Sequence, residues 1–324
     1  MAAGKKIILL ATGGTIAGVG EPGKTAGYVP GTLAAQDLVM NIPGIRDVAE
    51  LEVYQICNVN SDDITGSIWI TLAARINEMA EDPSVDGFVI THGTDTLEET
   101  AYFLNLTVKT HKSVVITGSM RPSSGLSPDG PINLYDAICV ASSDMAKGKG
   151  VLAVFSGCIY SARFVIKSST YHIAAIGAGE RGAMGVVRDG KVYIYGFPVK
   201  AHTLSTEFDL KNIRELPGVS VLYFSVDADP ALITFAASRA GGLVIAGAGA
   251  GEFSLAFKEE IEKLAVPVVI SSRVNEGIIM PENLLCKNTV AANDLSPAKA
   301  AVLLRLALAH KVDRHRLQEI YDRY

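Results

Sequence analysis

Lys6-Ile7-Ile8-Leu9-Leu10-Ala11-Thr12-Gly13-Gly14-Thr15 runs from an unbroken apolar stretch straight into a double-glycine turn with a hydroxyl on either side. A run this short, bounded by glycine and showing no helical repeat, reads as a strand buried on both faces. The same kind of run recurs at Gly87–Thr91, Ser113–Thr117, Val151–Phe155, Val192–Tyr195, Val219–Phe224, Leu243–Ala246 and Val266–Ile270. Between these runs lie segments of helical period. In residues 67–82, for example, Ile68, Trp69, Leu72, Ile76 and Met79 share one face. Buried strands alternating with amphipathic helices predict an α/β protein built on a mainly parallel sheet with helices on both faces.

The chain has 324 residues, beyond the size at which one core usually stops growing, so two domains are expected. The rhythm breaks between residues 196 and 218, where Pro198, His202, Thr203, Ser205 and Pro217 cluster. This division predicts a larger N-terminal domain over residues 1–196, a linker over 197–218 and a smaller C-terminal α/β domain over 219–324. In the latter, Ser296 followed by Pro297 marks a capped helix start, and a last helix is expected from Asp313.

A net charge of -5 without blocks of like sign argues against a nucleic-acid partner. The longest membrane candidate, Ala300–Ala309, is too short to span and contains Arg305, and the first ten residues show no leader cleavage pattern. The chain therefore reads as soluble and unprocessed. Cys57, Cys139, Cys158 and Cys286 are far apart and form no metal-ligand spacing, which reads as buried free thiols in a reducing compartment. No metal and no cofactor is called for. The cytoplasm is the expected home, and a periplasmic one requires a leader trimmed ahead of Met1.

In open α/β sheets, ligands sit outside the carboxyl ends of strands, so the loops after the strands are the places to search. Two stand out: Thr12-Gly13-Gly14-Thr15 and His92-Gly93-Thr94-Asp95-Thr96. Each also has a purely structural explanation, since paired glycines reverse a chain and Thr96 with Glu99 spells a helix capping box. Residues Gly18 to Thr25 match the phosphate-loop pattern GxxxxGK[ST], but they neither leave a strand directly nor open a helix, because Gly27, Pro30 and Gly31 follow. A nucleotide-binding NTPase is accordingly the weaker alternative. Lys167 reads either as a surface lysine lying along apolar neighbours or as a base lowered by burial, and the residues alone leave both open. His92 is a lone histidine and receives no chemical role.

Ile8–Gly18 and Val89–Thr100, together with Gly118-Ser-Met-Arg-Pro122, Asp129–Tyr135, Ser271–Val274 and Leu295–Ala300, resemble the signature segments of bacterial L-asparaginases, particularly the type II group. The resemblance runs nearly end to end. It implies an amidohydrolase converting L-asparagine to L-aspartate and ammonia, in a homotetramer of two intimate dimers. It further implies Thr15 as nucleophile, Tyr28 as its activating partner, and Thr94, Asp95 and Lys167 as a second catalytic group. Ser61 and Asp62 are implied to hold the substrate's α-carboxylate and α-ammonium, and Glu252 and Glu282 to reach the site of a neighbouring subunit. Asp62 stands where the family usually has glutamine or glutamate, and Glu252 where it has asparagine or serine; both alter the charge that meets the substrate and the tolerance of the longer glutamine. Met79 and Thr110 replace the cysteines of the family's disulfide. A third reading is an amino-acid sensor that keeps the site and lacks turnover.

Overall fold

The computed structural model describes residues 4–24, 27, 29, 31, 32, 34–40 and 42–324. The chain divides into two compact units, Met1–Thr206 and Glu207–Tyr324.

The first unit is organised by strands β1 (Lys5–Gly13), β2 (Ala49–Val59), β3 (Gly87–Thr91), β4 (Ser113–Thr117), β5 (Val151–Phe155) and β6 (Cys158–Ser161). A two-residue pair, β7 (Ile166–Lys167) and β8 (Ile176–Gly177), precedes β9 (Gly185–Arg188) and β10 (Lys191–Ile194). Eight of these form one sheet in the order β10-β9-β6-β5-β4-β3-β1-β2. From β2 to β5 every pairing is parallel, and from β5 to β10 every pairing is antiparallel. Helices α1 (Ala35–Met40), α2 (Ile45–Val48), α3 (Gly66–Ala80), α4 (Leu97–Thr107) and α5 (Gly130–Ser142) complete the unit.

Alternation along the central strands sends successive side chains to opposite faces. Ile7, Leu9, Val89, Val115 and Leu152 pack with Leu134, Ala137 and Ile138 of α5. The intervening Ile8, Leu10, Phe88, Ile90 and Val114 are equally buried towards the other face. On α3 the expected stripe holds at Trp69, Leu72 and Ile76, with Ile68 and Met79 half-buried at its margins. Trp69 stacks on Phe103 of α4 with ring centroids 5.1 Å apart. Burying each such side chain contributes ~1.5–3 kcal/mol, so this helix pair is held mainly by its apolar faces.

In the second unit β11 (Val219–Tyr223), β12 (Gly242–Gly247), β13 (Val268–Ser272) and β14 (Val290–Ala291) form an all-parallel sheet in sequence order. Ile233 of α6 (Ala231–Ala237) and Phe257 and Ile261 of α7 (Leu255–Glu262) pack with Leu243, Ile245, Val268 and Ile270. Helix α8 (Pro297–Ala309) begins as expected, with Ser296 Oγ accepting the Lys299 N–H and proline in the first turn. The last helix, α9 (Leu317–Arg323), starts later than expected, because Asp313 caps a 3-10 turn over Arg314–Arg316. All four cysteines are free; Cys139 and Cys286 are buried, whereas Cys57 and Cys158 are only half-buried. Among the described residues, no helix is long and apolar enough to cross a membrane.

Candidate active site

Strands β3, β1 and β2 are neighbours and parallel, so their carboxyl ends lie along one edge of the sheet. Strand β1 is longer than its apolar run and continues to Gly13, which pairs with Val59 across a register shift. Gly14 then donates its N–H to Val59 O at 3.1 Å, and Thr15–Ala17 form a 3-10 turn. After β2 the chain makes a second 3-10 turn, Ser61–Asp63. After β3 it passes through His92 to Thr96 before α4 begins.

These three loops touch where they lack side chains. A Cβ on Gly14 would lie 2.4 Å from both Cα and N of Gly93, and one on Gly93 would lie 2.8 Å from Ser61 Oγ. Gly14 has φ 80° and ψ -172°, a conformation open essentially to glycine alone. The glycines therefore do more than reverse the chain: they let Thr15, Thr94 and Ser61 gather at one place. All three are buried, at 8%, 5% and 3% exposure. Two hydrogen bonds hold the Ser61 turn to the Thr94 loop, Asp95 N–H to Ser61 Oγ at 3.3 Å and Thr96 Oγ1 to Ser61 O at 2.6 Å. Thr96 is the N-cap residue of α4, yet its side chain makes no cap bond, so the capping-box reading of this loop is corrected. Its hydroxyl is committed to the neighbouring loop.

Lys167 arrives from β7. Its Nζ donates to Thr94 Oγ1 at 2.8 Å and to Asp95 Oδ1 at 2.5 Å. The lysine side chain is 18% exposed while that of Asp95 is 65% exposed, so the ammonium is enclosed and its partner carboxylate faces solvent. Lys167 is thus not a surface lysine lying along apolar neighbours. Asp62 is exposed on the Ser61 turn.

Behind the loop, His92 is completely buried. Its Nδ1 lies 2.7 Å from Gly93 O and its Nε2 lies 2.9 Å from Thr100 Oγ1, which also accepts the Trp69 indole N–H at 2.8 Å. Burial pushes the imidazole pKa down to about 4, so the ring is neutral at physiological pH. On the far side, the loop after β4 is fixed by Asp129, whose carboxylate accepts the N–H groups of Met120 and Arg121 at 2.9 and 2.8 Å. That loop also anchors the segment leading towards Tyr28, through Gly23 N–H to Ser124 O and Ser123 Oγ to Gly18 O. Tyr28 itself lies outside the described residues. The phosphate-loop pattern at Gly18–Thr25 is followed by no helix among the described residues before Ala35, and Val19 and Val29 form a bridge there instead.

In the second unit, Glu252 is exposed in the tight turn after β12, where it exchanges backbone hydrogen bonds with Ala248 at 2.8 Å. Glu282 is exposed on the 3-10 turn Pro281–Asn283. Among the described residues, no group of three His, Cys, Asp or Glu side chains is placed to hold a metal ion.

Two buried threonines, a lysine–carboxylate pair and glycine-backed loops thus lie at the carboxyl edge of a parallel sheet, the edge at which open α/β proteins bind their ligands. Residues 6–200 match the family described as Asparaginase, N-terminal, and residues 218–321 match the Glutaminase/Asparaginase C-terminal domain. The chain belongs to the asparaginase family. It is 42% identical to L-asparaginase 2 of Bacillus subtilis over 98% of this chain and 86% of that relative. It is 39% identical to the glutaminase-asparaginase of Acinetobacter glutaminasificans over 98% of this chain and 99% of that one. The crystal structure of a probable cytoplasmic L-asparaginase from Campylobacter jejuni superposes with a TM-score of 0.95 at 39% identity, covering 99% of this chain and 100% of that chain.

Proposed function

We propose that the protein hydrolyses L-asparagine to L-aspartate and ammonia, with L-glutamine a minor substrate. The observation that carries this reading is the Lys167 ammonium held between Thr94 Oγ1 and Asp95 Oδ1, in a loop whose Gly93 lies against Gly14, the residue before Thr15. Thr15 Oγ attacks the side-chain carbonyl carbon, and its proton passes, through Tyr28, to the nitrogen that leaves as ammonia. The resulting aspartyl ester is attacked by a water whose proton is relayed through the Thr94 hydroxyl and the Lys167–Asp95 pair, and a proton returns to Thr15 Oγ as the ester C–O bond breaks and aspartate is released. The Thr94 N–H, for which no acceptor occurs among the described residues, suits the oxyanion of both tetrahedral intermediates. A donor so placed contributes ~3–4 kcal/mol to the barrier's reduction.

Ser61 and the Asp62 and Asp95 carboxylates receive the α-carboxylate and α-ammonium. Glu252 and Glu282, on the unit Glu207–Tyr324, complete the site of a neighbouring subunit in a homotetramer of two dimers. The negative charge of Glu252 disfavours the anionic aspartate product, and the changed side chains at positions 62 and 252 alter the tolerance of the longer glutamine. The cytoplasm is the proposed compartment, in keeping with four free cysteines.

The test is ammonia release from L-asparagine and L-glutamine in parallel by the wild type and Thr15→Ala. Hydrolysis of asparagine by the wild type alone supports both the reaction and the nucleophile. A wild type that releases ammonia from neither, yet is thermally stabilised by asparagine, overturns the hydrolase reading in favour of a sensor.

A further inference from the structure

We infer that His92, Thr100 and Trp69 form a buried positioning relay that fixes the Gly93–Thr94 peptide and so aims the Thr94 N–H at the reacting carbonyl. The inference rests on the amidase reading above. It starts from donor and acceptor chemistry. The Trp69 indole only donates, so Thr100 Oγ1 accepts there at 2.8 Å and is left to donate its own proton to His92 Nε2 at 2.9 Å. Gly93 O only accepts, so His92 Nδ1 carries the ring's single proton across 2.7 Å. One tautomer satisfies all three contacts.

His92 is 0% exposed, Thr100 0% and Trp69 4%, so water does not substitute for any of them. The peptide after Gly93 is trans, and no cis peptide occurs among the described residues. In a trans peptide the C=O and the following N–H point in opposite directions. Pinning Gly93 O inward on the imidazole therefore turns the Thr94 N–H away from the core, where no acceptor among the described residues takes it. Gly93 has no side chain to resist rotation of this peptide, which is why an external clamp matters. The indole reaches the relay from α3, and Thr100 lies one turn into α4, so two packed helices set the angle of one peptide plane.

The experiment compares kcat, KM and melting temperature for wild type, Thr100→Val, His92→Asn, His92→Leu and the Thr100→Val/His92→Leu pair. The Asn amide places an N–H where Nδ1 stands. A misaimed oxyanion donor lowers kcat by about tenfold to a hundredfold, somewhat less than the loss of the donor itself, and leaves KM within about threefold. The expected pattern is this loss in Thr100→Val and His92→Leu, substantial rescue in His92→Asn, and no further loss in the pair. Melting temperatures report the structural contribution separately, with activity assayed well below them. Unchanged kcat per folded site in Thr100→Val, or full additivity in the pair, overturns the relay. Should His92→Leu fail to fold, nitrogen-15 spectra of the wild-type imidazole decide: a proton on Nδ1 and a bare Nε2 support it, and the opposite tautomer refutes it. Failure of the wild type to release ammonia refutes the amidase reading instead, whereas an active wild type with indifferent variants refutes the relay alone.

Discussion

Replacing Gly14 with alanine tests whether the active-site loops depend on contact between bare backbones. The new Cβ would stand 2.4 Å from Gly93 Cα and N and 3.0 Å from the His92 carbonyl carbon. Carbon atoms rest ~3.5–4.0 Å apart, so the two loops must separate by about 1 Å. The backbone at φ 80° and ψ -172° adds strain of ~1–3 kcal/mol for any residue with a Cβ. Because β1 and β3 are paired up to Ala11 and Thr91, the separation falls on the loops, and these carry Thr15 and Thr94. Together the clash and the strain come to ~3–5 kcal/mol. In a unit of this size that lowers the melting temperature by about 6–20 °C. A displacement of about 1 Å between the threonines lowers kcat by about a hundredfold. Differential scanning fluorimetry and coupled ammonia release measure the two effects. A Gly14→Ala enzyme within about threefold of wild-type kcat and 2 °C of its melting temperature would refute the reasoning.

Lys167→Met removes the ammonium that Thr94 and Asp95 share, and kcat should fall about 10²- to 10⁴-fold. The exposed Asp95 is rehydrated at little cost, so stability changes by under ~1 kcal/mol, which a denaturant titration checks. Asp136, on α5 and 6% exposed, has its carboxyl pushed up to about 6 by burial, with Arg188 pulling the other way. Its proton is held more tightly in the folded state than in the unfolded one. Stability from this group is therefore full below about pH 4 and declines as pH rises towards 6, by up to ~3 kcal/mol. Asp136→Asn should flatten that part of the stability–pH curve and raise the melting temperature at pH 7; a curve of unchanged slope would contradict the assignment.

Continuous apolar runs made most of the central strands readable, because strands covered on both faces need no polar alternation. Gly87–Thr91, Ser113–Thr117 and Val151–Phe155 coincide with their strands. Strand β2 was not legible for the complementary reason: it lies at the sheet edge, half-exposed along much of its length, and carries Glu50 and Glu52. The antiparallel strands β6 and β9 are four residues each and too short to show a pattern.

The site was partly legible. Glycine and threonine after a buried strand point to a ligand edge, and residue types alone gave both loops. That Lys167 meets Thr94 needed tertiary structure, since 73 residues separate them. Thr96 looked like a helix cap because a hydroxyl before a helix commonly is one, and only the proximity of Ser61 O redirects it. His92 read as a lone histidine without a chemical role, and nothing local reveals that its partners come from α3 and α4.

The most direct test of the central claim is rapid-quench mass spectrometry of the enzyme mixed with L-asparagine, followed by peptide mapping. The account predicts a transient mass increment of one aspartyl group on the peptide containing Thr15, absent from Thr15→Ala. Turnover at full rate with no such adduct, or an adduct mapping to Thr94 instead, would contradict it.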